Sequence, residues 1–460
     1  MKQSNLVVIQ TDQQAQWTVS AYQEQSQLLT PQIDSIARNG FLCSNFFANC
    51  NPCTPSRGTF LTGLYPHSHG ATCNNHSISQ NKKTFAHALK QNGYETHYIG
   101  KYHLDGNRRP GWVHQSRRMG FANNLLMFNR GHFKEVHEIT DKKNHFTQHD
   151  QPNMFETIGD EASYMTDWLT NKAIDILKRK RNKPFCLMIS YPDPHPPYKT
   201  REPYESMYAK KEMRLPETFR KRHDSLREWL KDGEAYPIND ENAYKQKKAS
   251  YLGMVKLIDF NVGKLLHQLE ASGELENTLI VFTSDHGDYM GEHGLMGKTG
   301  MHECAYKVPL LISLPAKISG TKNIDFLWST IDFAPTILDL LEIDTGIKFE
   351  GKSYAEELFS ATKLDNFVYI EDSSTDPQNH GRVGIATDSY WYAINSEGAE
   401  LLYDRKKDTS QSTDLSQCEL LKNKKAKLLE ALINHHKELK SPHREWLDKL
   451  SKNTAESSLI

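Results

Sequence analysis

The chain has 460 residues, 37% of them apolar, with 56 Lys and Arg against 57 Asp and Glu and a net charge of −1. That length supports one large core plus a smaller unit, and the balanced charge excludes a global basic field for nucleic acid. A mean hydropathy of −0.67, with no apolar run of bilayer length, predicts a soluble chain that does not engage a membrane.

The N-terminus runs directly into a strand-like segment with no apolar leader or small-residue cleavage site, so the expected address is cytoplasmic. Leu6-Val7-Val8-Ile9 predicts a buried strand ending at Asp12-Gln13. Thr96-His97-Tyr98-Ile99 leads to Lys101-Tyr102-His103, Phe185–Ile189 to Asp193-Pro194-His195, and Leu279–Phe282 to Asp285-His286. Such apolar, β-branched runs read as strands of a mostly parallel sheet. Ligand groups in such sheets gather beyond the carboxyl ends, so the four polar clusters predict one converging site.

Residues 31–39 and 84–92 predict short helices stopped at Gly40 and Gly93. Residues 242–271 predict a long helix whose stripe of Leu252, Val255, Ile258, Val262, Leu265 and Leu269 is core packing. Residues 105–160 and 199–240 show little periodicity and read as long loops over the site. A boundary near 365 separates a catalytic unit, 1–365, from a C-terminal unit, 366–460. The latter carries four short strands of an antiparallel sheet and a charged helical region over 419–450.

Residues 50–63, Cys-Asn-Pro-Cys-Thr-Pro-Ser-Arg-Gly-Thr-Phe-Leu-Thr-Gly, are the most specific stretch. Thr54 suits an N-cap and Pro55 a first helical position, which places Cys53 just ahead of a helix N-terminus that favours an anion. Arg57, one turn on, points its charge back to the same place. Read alone, Cys50-x-x-Cys53 also fits a redox pair of a non-catalytic protein, or half of a zinc site with Cys43 or Cys73.

Cys53, Pro55, Ser56, Arg57 and Leu61-Thr62-Gly63 together resemble the signature of type I sulfatases, C-x-P-S-R-x-x-x-L-T-G. Further landmarks follow in family order: Asp12, Gly100-Lys101-Tyr102-His103, Pro194-His195-Pro196-Pro197, Ser284-Asp285-His286-Gly287 and Gly297-Lys298. The resemblance implies an alkaline-phosphatase-like α/β fold, a large mostly parallel sheet between helices. It also implies a cysteine oxidised to formylglycine by a formylglycine-generating or radical maturation enzyme. The hydrated aldehyde would attack sulfur and pass through a sulfate hemiacetal.

By the same resemblance Asp12, Gln13, Asp285, His286 and position 53 hold a divalent cation, calcium first and magnesium second, through mainly oxygen ligands. Gln13 departs from the aspartate common at its position and removes one negative charge. Arg57 and Lys101 stabilise the nucleophile and sulfate oxygens, His103 is the base for breakdown, and His195 and Lys298 bind sulfate, one of them protonating the leaving oxygen. The expected substrate is a sulfated carbohydrate, small or oligomeric. Arg108, Arg109, Arg117, Arg118, His132 and Lys134 are candidates to meet a uronate or second sulfate. Choline sulfate, a phosphonate monoester or a phosphodiester is the alternative ester for the same site. His67 and His69 are expected to be structural, and Cys73 to His76 to line the pocket.

Overall fold

The structure is a computed structural model of the whole chain. It describes all residues except 1–2, 24–25, 107–117, 137–156, 222–228, 230–234, 361, 373–379 and 458–460. Its centre is an eight-stranded sheet. In chain order the strands are β1 (Asn5–Thr11), β2 (Gly40–Cys43), β3 (Glu95–Lys101), β4 (Asn123–Phe128), β5 (Phe185–Ser190), β6 (Thr278–Ser284), β7 (Leu310–Ser313) and β8 (Thr321–Ile324). Across the sheet they run β8-β2-β7-β6-β1-β5-β3-β4. The four strands expected from the sequence are the parallel central block β6-β1-β5-β3. Strand β7 pairs antiparallel with both β6 and β2, so the sheet is mixed.

Both faces of the sheet are covered, and β1 shows why its sequence lacks polar alternation. Leu6 and Val8 enter one core with Phe60 and Leu61 of α2 (Cys53–Thr62), Phe85 of α3 (Phe85–Gln91) and Phe333 of α6 (Thr330–Leu340). Val7 and Ile9 point oppositely, to Ile33 of α1 (Pro31–Ile36), Trp168 of α4 (Met165–Leu177), and Ile258 and Val262 of α5 (Glu241–Ala271). Each of these β1 side chains is fully buried and contributes about 1.5–3 kcal/mol.

Residues 368–404 form a four-stranded antiparallel sheet: β9 (Val368–Asp372), β10 (Arg382–Ala386), β11 (Tyr390–Asn395) and β12 (Glu400–Asp404). One face packs Trp391 and Tyr403 against Phe47, Tyr289 and Tyr306. The other is covered by Leu428 and Leu432 of α7 (Lys422–Glu438) and Trp446 of α8 (Arg444–Ser457). Glu303 pairs at 2.6 Å with Arg405, which follows β12. No helix among the described residues is long and apolar enough to cross a membrane.

Three expectations are corrected. The segment 105–160 is not all loop, because Asn123–Phe128 adds the parallel edge strand β4 beside β3. Gly40 ends the helical stretch 31–39 but not as a left-handed cap: its φ of 173° is extended, and it opens β2 where an added Cβ would lie 1.8 Å from the Ile312 carbonyl oxygen. The third concerns the cysteine helix. Cys53 is its first residue with Pro52 as N-cap, not a residue ahead of it, and Thr54 does not cap it. The Thr54 N–H donates to Asn74 Oδ1 at 3.1 Å and its hydroxyl donates to the His103 carbonyl at 2.8 Å. An Asn from the next loop thus replaces the local cap.

Candidate active site

The carboxyl ends of β1, β5, β3 and β6 meet the N-terminus of α2, as the open-sheet rule requires. The Asp12 N–H donates to the Asp193 carbonyl at 3.1 Å and the Asp285 N–H to the Thr11 carbonyl at 3.1 Å, which fixes the strand-end turns together. Gln13 and His103 hold left-handed φ angles of 64° and 56°. Such backbone costs about 1–3 kcal/mol and persists where neighbours over-determine it. Helix α2 approaches closely because residue 58 is glycine: a Cβ there would lie 2.4 Å from the His69 ring.

Cys53 Sγ is the hub, 1% exposed. It lies 2.9 Å from Lys298 Nζ, 3.2 Å from His286 Nε2, 3.6 Å from Asp12 Oδ1 and 3.7 Å from Lys101 Nζ. Burial and Asp12 push the thiol pKa up, but Lys101, Lys298 and His286 outweigh them and bring it to about 5. The site is built to hold an anion at this atom. Cys50 points elsewhere, 3.6 Å from the Asn51 carbonyl, and no disulfide joins the two.

The carboxylates are held from behind. Arg57 donates from Nη2 to Asp12 Oδ2 at 2.9 Å and brings Nε to 2.9 Å from Asp285 Oδ2. Its Nη1 donates to Ser190 Oγ at 2.6 Å, the Lys101 carbonyl at 3.0 Å and Gln10 Oε1 at 3.2 Å. Lys101 pairs with Asp12 as well. Burial raises the Asp12 carboxyl pKa, yet Lys101 and Arg57 hold it well below the usual range.

Asp285 Oδ1 accepts from the Gln13 and His286 N–H groups, each at 2.9 Å. His286 Nδ1 donates to the Gly287 carbonyl at 2.9 Å, so Nε2 faces Cys53. Burial lowers the His286 pKa but Asp285 raises it further, and the net direction is up.

Ligand atoms of Asp12, Cys53, Asp285 and His286 lie within 4.8 Å of one another. The Gln13 amide stands beside them: its Oε1 accepts from Lys298 at 3.1 Å and its Nε2 donates to Asp288 at 2.5 Å. Asp285 Oδ2 is buried and makes no aligned hydrogen bond. Two carboxylates, an amide oxygen and an imidazole are the donors of a hard divalent cation, so the residues fit one.

His195 donates from Nδ1 to the Pro196 carbonyl at 2.7 Å, which frees Nε2. Burial, then Lys298, lower its pKa to about 4. His103 is half-buried with Nδ1 unpaired, and burial and Lys101 hold its pKa well below the usual value. All of the expected site residues therefore converge.

Two residues acquire roles that the sequence did not show. Asp288 orients Gln13 and accepts from Tyr198 at 3.0 Å and the Met290 N–H at 2.7 Å. The signal available was an Asp inside the run Gly287-Asp288-Tyr289-Met290. His132, expected at the substrate, instead accepts from Lys101 through Nε2 at 2.8 Å and stacks on His195 at 3.6 Å and 1°.

The other candidates for substrate contact separate. Lys134 is buried against Asp193 at 2.6 Å and is structural. Arg118 is exposed, and Arg108, Arg109 and Arg117 lie outside the described residues. His67 meets Glu371 at 3.3 Å, His69 Nε2 lies 3.3 Å from Thr59 Oγ1, and His302 bridges Tyr289 and Tyr403 at 2.8 and 3.1 Å. Asn74 is a helix cap.

Residues 4–343 match the sulfatase family. The chain belongs to that family. Residues 291–438 also match the C-terminal region of N-sulphoglucosamine sulphohydrolase. Among curated relatives, an uncharacterized sulfatase, YidJ, of Escherichia coli is 27% identical over 97% of this chain and 90% of its own. An N-acetylglucosamine-6-O-sulfatase of Bacteroides thetaiotaomicron is 28% identical over 76% of this chain and 70% of its own. A solved structure of a protein with its substrate D-glucosamine-2-N,6-O-disulfate shares the fold, with a TM-score of 0.78, 24% identity, and 95% and 98% coverage of the two chains. Membership of the sulfatase family makes the chain a sulfuric ester hydrolase.

Proposed function

We propose that this sulfatase removes sulfate from a glycosaminoglycan-type sugar, using formylglycine at position 53 and calcium. The observation that carries the reading is Cys53 Sγ enclosed between Lys298, Lys101 and His286 at the N-terminus of α2. A site that holds one anion with two buried ammonium groups suits the sulfate oxyanion and the charge that grows on it. The curated N-acetylglucosamine-6-O-sulfatase relative supports a sugar.

Formylglycine supplies a hydrated aldehyde as nucleophile at position 53. Asp12, Gln13, Asp285 and His286 would hold the calcium, which would supply positive charge to the site. Lys101 and Lys298 bind the remaining sulfate oxygens. Lys298 delivers the proton to the departing sugar oxygen, beside a neutral His195 whose own proton sits on Nδ1. His103 removes the proton that lets sulfate leave. Arg57 fixes Asp12 and Asp285 and takes no proton. Free sulfate release from sulfated mono- and disaccharides and choline sulfate, with phenol release from an aryl phosphonate monoester measured beside it, tests the reading. Turnover of only the last two overturns the sugar assignment.

Calcium binding has its own readout. If free calcium reaches about 100 times its dissociation constant, stabilisation of about 2.7 kcal/mol follows, or about 3 °C in Tm for a chain of this size. Chelator-stripped protein should gain that shift on adding calcium, and the Asp285→Ala variant should not. An equal shift in both places the ion elsewhere.

His132→Ala should lower kcat about 10- to 100-fold with a smaller change in KM and little change in Tm, because it frees Lys101 and His195 rather than the core. A pure KM effect would instead make His132 a substrate contact.

A further inference from the structure

Three loops meet at the mouth of the site and are tied to one another. The Asp105 N–H donates to Asn129 Oδ1 at 2.9 Å, Asn129 Nδ2 donates to the Gly106 carbonyl at 3.2 Å, and Ser77 bridges Asp105 through the backbone. The Ile78 N–H donates to the Leu104 carbonyl at 3.1 Å. Each loop also reaches the reaction centre. Asn74 caps the helix beside Cys53, His103 follows Lys101, and His132 touches Lys101 and His195.

On this frame, between Asn129 and His132, stands Arg130. Other cations of the site and its loops are neutralised: Arg57 by Asp12 and Asp285, Lys101 by Asp12, Lys134 by Asp193. Arg130 has no ion pair with any carboxylate of the described residues. Its Nη1 donates to the neutral Asn75 Oδ1 at 2.9 Å, and its Nε is buried without a partner. Asn75 is itself exposed and fixed at a φ of 74°. A guanidinium carries five donors in a planar fork that matches an oxyanion, and a half-buried one without a counter-charge is costly. Loops 72–78 and 129–132 contain no Asp or Glu, and Asp105 on the third loop, tied to Asn129 through its backbone, makes no ion pair with Arg130.

We propose that Arg130, presented by Asn75, is a subsite for a second oxyanion of the substrate, a sulfate or carboxylate separate from the group hydrolysed. This rests on the sulfatase reading and narrows its substrate class to doubly anionic sugars. Spare guanidinium N–H groups bind the second oxyanion while Lys101 and Lys298 hold the first.

The test is calorimetric binding to the full chain carrying Cys53→Ala, which prevents turnover. The probes are two matched pairs: N-acetylglucosamine 6-sulfate with glucosamine 2-N,6-O-disulfate, and a hexuronic acid 2-sulfate with its methyl ester. The doubly anionic member of at least one pair should bind about 10- to 100-fold more tightly. Arg130→Gln should collapse that ratio towards one, and Arg130→Lys should keep part of it, with Tm checked for each. The first pair reports a sulfate subsite and the second a carboxylate subsite. Ratios near one in the parent, or a ratio that survives Arg130→Gln, overturn the proposal. Sulfate release by protein with Cys53 intact is measured separately. Discrimination without release would sink the hydrolase reading and leave the subsite, and release without discrimination would do the reverse.

Discussion

Replacing Cys53 with alanine is expected to reduce sulfate release by about 10⁵- to 10⁶-fold, to background, because the nucleophile is lost and no neighbour can substitute for it. The surrounding groups are two ammoniums, a buried guanidinium and a metal-type donor set, none of which is a spare nucleophile aligned with sulfur. The fold should survive, since a small side chain at the first turn of α2 becomes the best helix former. Circular dichroism and Tm close to the parent, with no release, is the expected pair of results. Activity retained above one per cent of the parent would remove Cys53 from the nucleophile position. Mass analysis of the peptide ending at Arg57 should show an aldehyde in active protein and a thiol in inactive protein.

Replacing Arg57 with alanine should be the most damaging single change to stability. It strips the charge shared by Asp12 and Asp285 and leaves the Gln10, Lys101 and Ser190 acceptors without their donor. Breaking a buried pair from one side costs about 3–5 kcal/mol, mostly as uncompensated charge. For 460 residues this is a fall in Tm of about 3–5 °C. Calcium should recover part of the loss, because a dication set between the same carboxylates supplies the missing charge. Arg57→Lys should fall between the two, keeping charge but losing the fork. An unchanged Tm in metal-free Arg57→Ala would show that the carboxylates are balanced by Lys101 alone.

The centre of this fold was legible because its strands are buried on both faces. Leu6–Ile9, Phe185–Ile189 and Leu279–Phe282 carry continuous apolar runs, and the groups that follow them meet by topology alone. The edges were not legible. Strand β8 reads Thr-Lys-Asn-Ile and is half exposed, so it carries no pattern distinct from loop, while β4 does end in an apolar run over 125–128, but inside a long charged segment. Lys101 and Lys298, which the structure sets beside Cys53, were legible as candidates through their flanking motifs. Asp288 carried no signal, and His132 read as a substrate contact, because each touches a side chain distant in sequence, Gln13 across 275 residues and Lys101 across 31. Thr54 misled for a related reason. Local chemistry names it a cap, but Asn74, twenty residues on, supplies the acceptor.

The Lys134–Asp193 pair bears on how specificity can be changed. Asp193 also accepts from Tyr164 at 2.8 Å and Thr166 at 2.7 Å, and the Val136 N–H donates to the Ser163 carbonyl at 2.8 Å. The segment bearing Arg130 and His132 is thereby bolted to the turn bearing His195 and to the start of α4. These pieces behave as one cassette in three parts of the chain. Grafting residues 129–136 alone from a relative of different preference would strand a buried lysine or a buried aspartate. Exchange of substrate preference by recombination should succeed only when 129–136, 163–166 and 193–197 travel together.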